Sequence, residues 1–232
     1  MLRALRLQDV DWMRLEEGVV QIRVVSEMTA QELAQAVGGF RKGYVSDWDE
    51  WLSNPASDQV RKFASILRKW NAVRPYTLRS PRAEADERAH HEPPFLDDLV
   101  EWAQPHLGVV DGITLANIHG IRPPQRNAMD ELWSIFKQLP TTDSASCVGI
   151  SKAILLLTNG RIGPAFDGNV RGRLGIDYIQ SPKEWRALLA QIGSDIRSFE
   201  QKSGIPISEA VPTEFSHLEV GRLYDMVLGP RE

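Results

Sequence analysis

The chain has 232 residues, 42% of them hydrophobic and 25% charged, a composition that excludes wholesale disorder and leaves ample length for a core. A net charge of −4 weighs against nucleic-acid binding through overall charge and leaves that role to a local Lys/Arg cluster. Cys147 is the only cysteine, which excludes an internal disulfide, an all-Cys metal site and an iron–sulfur cluster of four thiolates.

At the N-terminus Arg3, Arg6, Asp9 and Asp11 break any signal-peptide pattern. No apolar run reaches the length of a membrane span, so a cytoplasmic protein without a membrane partner is expected. Val19 to Val25 alternates and is β-branched, which predicts a short strand. Thr29-Ala-Gln-Glu32 is a capping box opening a helix to about Val37, ended by Gly38-Gly39. An aromatic segment follows, with Tyr44, Trp48 and Trp51 interleaved with Asp47 and Asp49. A strongly amphipathic helix is expected over 58–73, with Val60, Phe63, Ile66, Leu67 and Trp70 on its apolar face.

Residues 79–94 are polar, charged and bracketed by prolines, so they read as a surface loop. Its His90-His91 pair lacks further His or Cys partners and adjacent side chains diverge, so no metal is implied. Helices are expected at 95–103, 114–119 and 126–138, the last with Met129, Leu132, Ile135 and Phe136 facing inward. Ser181-Pro-Lys-Glu184 is a capping box with Pro at the first helical position, opening a long helix to about Lys202. A final helix is expected over 213–228. The fold class is mainly α, with a short N-terminal strand element.

The segment from Cys147 to Gly175 carries the chemistry. It reads as a buried helix from Ser151 to about Leu157, a Thr158-Asn159-Gly160 stop, a Gly163-Pro164 turn, and a second helix capped by Asp167. A carboxylate there accepts the first-turn N–H groups, and the helix dipole favours its anion. From the residues alone Asp167 is either a cap or a catalyst.

Ala165-Phe-Asp-Gly-Asn-Val-Arg-Gly-Arg-Leu174 resembles the catalytic segment of the helix-hairpin-helix DNA glycosylase superfamily, the endonuclease III and adenine glycosylase branch in particular. Gly149-Ile-Ser-Lys-Ala153 resembles the end of that family's hairpin. The turn before it is longer than the family's and lacks its first Gly: Leu139-Pro140 is followed by seven residues before Val148-Gly149, so the hairpin is degenerate. The resemblance covers residues 139–175.

It implies a two-lobed helical fold, with residues 45–160 as a barrel lobe and 1–44 with 161–232 as a second lobe built from both chain ends. The active site would lie in the cleft between them, with Asp167 as the catalytic carboxylate and double-stranded DNA as the partner of a monomer. No cofactor is implied. Ser151 occupies the position of the lyase lysine found in some relatives, with Lys152 one residue on, so a monofunctional hydrolase leaving an abasic site is expected, and Lys152 is the alternative amine. Gly149, Ser151, Lys152, Arg161, Asn169, Arg171 and Arg173 are the candidate DNA contacts, and Tyr44, Trp48 and Trp51 the candidate base pocket. The N-terminal strand, the aromatic segment and the 79–94 loop are not required by the motif. They suggest an enlarged substrate, a bulky alkylated base or a hypermodified phage pyrimidine, and with it a role in antiviral defence instead of repair. The other class is a non-catalytic binder of modified or distorted DNA on the same fold.

Overall fold

The computed structural model describes residues 21–53, 59–72, 94–139 and 146–231. Nine α-helices form among them: α1 Ala30–Gly38, α2 Lys42–Leu52, α3 Gln59–Lys69, α4 Leu96–Val109, α5 Pro123–Phe136, α6 Cys147–Leu157, α7 Gly168–Leu174, α8 Pro182–Ser203 and α9 Val220–Leu228. The fold is mainly α, and the described residues contain no strand. None of their helices is long and apolar enough to cross a membrane. The hairpin turn at 140–145 and residues 79–93 of the polar loop lie outside the described residues.

At the centre stands α6, where every residue but Val148 is buried. A helix apolar on all sides has no solvent face, so it must be enclosed, and here α3 and α5 pack against it. Around this core α4 packs on α5, and α8 crosses α5. Residues distant in sequence meet here: α9 packs on α1, and Phe40 pairs with Arg231 in an isolated antiparallel bridge.

Both capping boxes read from sequence are reflected at the helix starts. Thr29 Oγ1 accepts from Glu32 N at 3.2 Å while Glu32 accepts from Thr29 N at 2.8 Å. Ser181 Oγ accepts from Glu184 N at 3.2 Å and opens α8.

The strand expected at 19–25 is corrected over its described part. Val24 N, Val25 N and Ser26 N donate not to a neighbouring strand but to the buried carboxylate of Asp195 on α8, at 3.0, 2.9 and 3.2 Å. Ser26 Oγ at 2.5 Å and Tyr224 Oη at 2.8 Å add two more donors. The buried residues, Ile22 and Val25, are three apart and not alternate, and they anchor an irregular segment ending in the 3-10 turn Val25–Glu27, with one side chain accepting in place of a ladder.

Other boundaries shift for local reasons. The helix expected at 114–119 is a turn closed by Asn117, whose side chain bonds Thr114 N at 2.9 Å and Gly112 O at 2.9 Å, with only Ile118–Gly120 in a 3-10 turn. The helix expected to end near 103 continues through Pro105 to Val109, on a stretch where Pro105 and Glu101, the residue one turn back whose carbonyl loses its N–H partner, are both exposed. The final helix is divided into the 3-10 turn Thr213–Phe215 and α9. The first turn of α9 is satisfied from elsewhere, Arg222 N donating to Gly160 O at 2.9 Å.

That contact presses α9 onto the turn leading to Asp167. An added Cβ on Gly221 would lie 2.5 Å from Gly160 O and 2.8 Å from Gly163 N, so only glycine permits the approach.

Candidate active site

Asp167 is the N-cap of α7, and its Oδ1 accepts from Asn169 N at 2.9 Å and Val170 N at 3.1 Å. With Oδ1 occupied by the cap, Oδ2 is left for other partners. It faces Lys152 Nζ at 3.7 Å, an ion pair too long to be a hydrogen bond. Lys152 projects from α6, and its ammonium donates to Trp70 O at 2.7 Å. Burial pulls its pKa below the usual lysine value, while the carboxylates of Asp167 and Asp225 oppose that shift. The Lys152 side chain is 7% exposed and that of Asp167 23%, so the lysine lies at the floor and the aspartate at the mouth.

Behind this pair stands a second one. Arg222 Nη1 and Asp225 Oδ2 on α9 are 2.6 Å apart, and both residues are buried. Asp225 Oδ1 accepts from Ala165 N at 3.0 Å, which ties α9 to the strand of chain entering Asp167. Burial raises the Asp225 carboxyl above its ordinary range, with Arg222 opposing and Asp167 adding to the rise. Arg222 donates to Tyr44 O at 3.2 Å, and its guanidinium carbon lies 4.7 Å from the Trp48 ring centroid and 4.9 Å from that of Phe40. Trp48 and Trp70 stack at 6.0 Å and 10°.

Four charged groups of alternating sign are therefore fixed beside an aromatic wall. Phe40, Tyr44 and Trp70 form the wall of a small cavity with Lys152 and Asp167, closed by Gly229-Pro230. Its volume is about 20 Å³, room for a single water.

Of the residues singled out from sequence, the fold brings together Asp167, Lys152 and Tyr44. Three expectations of DNA contact are corrected. Gly149 and Ser151 are buried, and Ser151 Oγ donates to Cys147 O at 2.7 Å and accepts from Phe166 N at 2.9 Å, a link between α6 and the Asp167 segment. Lys152 faces inward toward Asp167 and offers no surface cation to a phosphate.

Trp51 is a core residue: its indole N–H donates to Leu156 O at 3.0 Å and Asn159 Oδ1 at 3.0 Å, which leaves it no part in a base pocket. Trp48 is 1% exposed and lies behind Trp70 and Arg222, where it borders a separate cavity of about 290 Å³ with Asp49 and Phe215. Arg161 is engaged in an ion pair with Asp111. Asn169 and Arg173 are exposed, and the half-buried Arg171 donates to Phe166 O at 3.1 Å beneath the Tyr178 ring.

Phe40, Trp70, Arg222 and Asp225 were not singled out. A signal existed for the last two: Arg and Asp three apart inside the otherwise uncharged run Val220 to Leu228 can be buried only if they pair. The same reasoning applies to Lys152, the one charge in α6. No family model, curated protein or solved structure matches the chain.

Proposed function

We propose that the protein is a DNA glycosylase that hydrolyses the N-glycosidic bond of an extruded damaged or modified base. The observation that carries this reading is the half-buried Asp167 carboxylate, held by α7 and facing a buried amine at 3.7 Å beside a cavity for one water. As the C1′–N bond breaks, positive charge builds on the sugar, and a fixed carboxylate with low solvent access offsets it. The water adds its oxygen to C1′, its proton goes to Asp167, and the base departs with the electron pair of the broken bond. The cavity has no room for a nucleobase, so on this reading the base lies outside it, above Tyr44.

The two lobes implied by the resemblance, 45–160 and 1–44 with 161–232, belong to the same proposal. In its support, α1 packs on α9, and the cavity draws Trp70 and Lys152 from one segment and Asp167, Arg222 and Asp225 from the other.

One contact favours a second reading of the strand chemistry. A desolvated lysine next to the catalytic carboxylate fits a nucleophilic amine, and Lys152, not Ser151, stands there. In that route Nζ bonds to C1′ as the base leaves. Opening of the sugar ring gives an iminium, and β-elimination then breaks the C3′–O bond.

The test is incubation with duplexes bearing a panel of alkylated, oxidised, deaminated and hypermodified bases, followed by alkali. Breaks with the native protein and none with Asp167→Asn would support the enzyme. Binding without breaks on every duplex would replace it with a non-catalytic binder of modified DNA. Release of uracil or mispaired adenine far faster than any enlarged base would remove the defence assignment while keeping the enzyme.

A further inference from the structure

Positive charge gathers at the last turn of α9, outside the Asp167 and Lys152 site. Val227 O accepts from Arg173 Nη1 at 3.1 Å and also from Arg231 Nη2, while Arg231 Nη1 donates to Met226 O at 3.2 Å. Two guanidinium groups thus converge on a single carbonyl. Neither forms an ion pair with a described carboxylate. The Arg231 guanidinium is pulled below its ordinary value by burial and then by the Arg173 charge.

A structural explanation is capping of the helix C-terminus, and its size can be weighed. The C-terminal end of a helix carries about half a negative charge, so two full positive charges leave an excess of about one and a half. Either arginine alone exceeds what the helix end offsets, so the pair leaves this turn positive. Arg173 spends only Nη1 on Val227, which leaves a planar fork of N–H groups of the kind that grips two oxygens of one phosphate.

Its position also matters. Arg173 is six residues beyond Asp167 on α7, roughly 9 Å along the axis at 1.5 Å per residue. That spans about two to three nucleotide steps of a duplex strand at 3.4 Å each. Gly229 and Pro230, which precede Arg231, close the Asp167 cavity itself. Arg41 is exposed next to Phe40, and its N–H donates to Pro230 O at 3.2 Å, so a third cation borders the same edge.

We propose that Arg173 and Arg231 form a phosphate site, and that its occupant is a backbone phosphodiester of the strand whose base is presented to Asp167. The identity of the occupant rests on the glycosylase reading; the existence of the anion site does not.

Two measurements separate them. The first is duplex DNA binding as a function of NaCl for the native protein, Arg173→Gln and Arg231→Gln; glutamine keeps a donor for Val227 O and removes the charge. Each phosphate contact contributes about 0.9 to the slope of log affinity against log salt, so each variant should lose about that much. Arg173→Lys, which keeps the charge, should retain the slope. The second is thermal unfolding in tens of millimolar inorganic phosphate against chloride at equal ionic strength, where phosphate should raise the midpoint of the native protein but not of the Arg173→Gln/Arg231→Gln double variant.

DNA binding with unchanged slopes in both folded variants overturns the site and leaves the glycosylase reading standing. Failure to bind DNA, with stabilisation by phosphate that the double variant loses, keeps the anion site and overturns the DNA occupant. Failure in both measurements overturns both.

Discussion

Asp167→Asn separates the two roles that one carboxylate performs. Asparagine caps a helix about as well as aspartate, so Asn169 N and Val170 N keep an acceptor and the cap contributes almost nothing to the change in stability. What is lost is the charge facing Lys152 at 3.7 Å. A fully buried pair that loses one partner costs about 3–5 kcal/mol and an exposed one about 0–1, so a pair whose lysine is buried and whose aspartate is at the mouth should cost about 2 kcal/mol.

The pH dependence of that cost has a definite sign. Lys152 has a lower pKa in the folded state than the ordinary 10.5, so the unfolded chain binds more protons between those values and stability rises with pH across that window. Removing Asp167 takes away a group that holds the lysine's pKa up, and so widens the window downward. The variant's deficit should be full below its own folded lysine pKa and shrink as pH rises through that value to the native protein's folded value, both of which lie below 10.5. Denaturant unfolding of both proteins from neutral to alkaline pH measures this directly. Base release under single-turnover conditions should meanwhile fall by about 10²-fold or more, the effect of removing about 3 kcal/mol of transition-state stabilisation. Native-rate release in a folded Asn variant would refute the catalytic assignment. A deficit that does not change with pH would refute the Lys152 pairing.

With the base substrate in hand, borohydride should trap no covalent protein–DNA adduct if water is the nucleophile; an adduct that Lys152→Gln abolishes would replace hydrolysis with the amine route, and trapping that survives the substitution excludes Lys152 as the amine. Asp195→Ala strips acceptors from Val24 N, Val25 N, Ser26 N and Tyr224 Oη together, and urea unfolding should register a loss of about 4 kcal/mol, with early amide exchange at 24–26. A loss under about 1 kcal/mol would mean that other acceptors replace the carboxylate. Gly221→Ala drives a methyl into Gly160 O and should cost about 2 kcal/mol or more with a fall in base release, whereas Gly172→Ala, which meets nothing within 4 Å, should leave both near native.

The helices were legible where local chemistry alone sets their ends. Thr29 and Glu32 satisfy each other, and Ser181 accepts from Glu184 N while Glu184 accepts from Gln180 N, all within one turn, so α1 and α8 begin where the sequence places them. Legibility failed where the partner is distant. Val19 to Val25 alternates as a strand does, yet Val24 N and Val25 N are satisfied by Asp195, some 170 residues away, and no window of sequence contains that contact. The long final helix failed for the same reason, because Gly160 O supplies the acceptor at the start of α9.

The site divides along the same line. Asp167 could be read because its cap is local, made by the next three residues. Its environment could not be, because Trp70, Lys152 and Arg222 meet only after α3, α6 and α9 have packed. The aromatic segment illustrates the difference: Tyr44, Trp48 and Trp51 share one short helix, but its rotation sends Trp51 into α6, Trp48 behind Arg222 and only Tyr44 to the cavity. The charges were the more informative signal. An isolated Lys in an apolar helix, and an Arg and Asp inside another, cannot be buried without compensation, so each implied an unseen partner. Lys152 finds Asp167, and Arg222 finds Asp225, which also holds Ala165 N. The backbone entering the candidate catalytic residue is thereby fixed by an ion pair on the last helix, and the chain end is part of the site and not a cover over it.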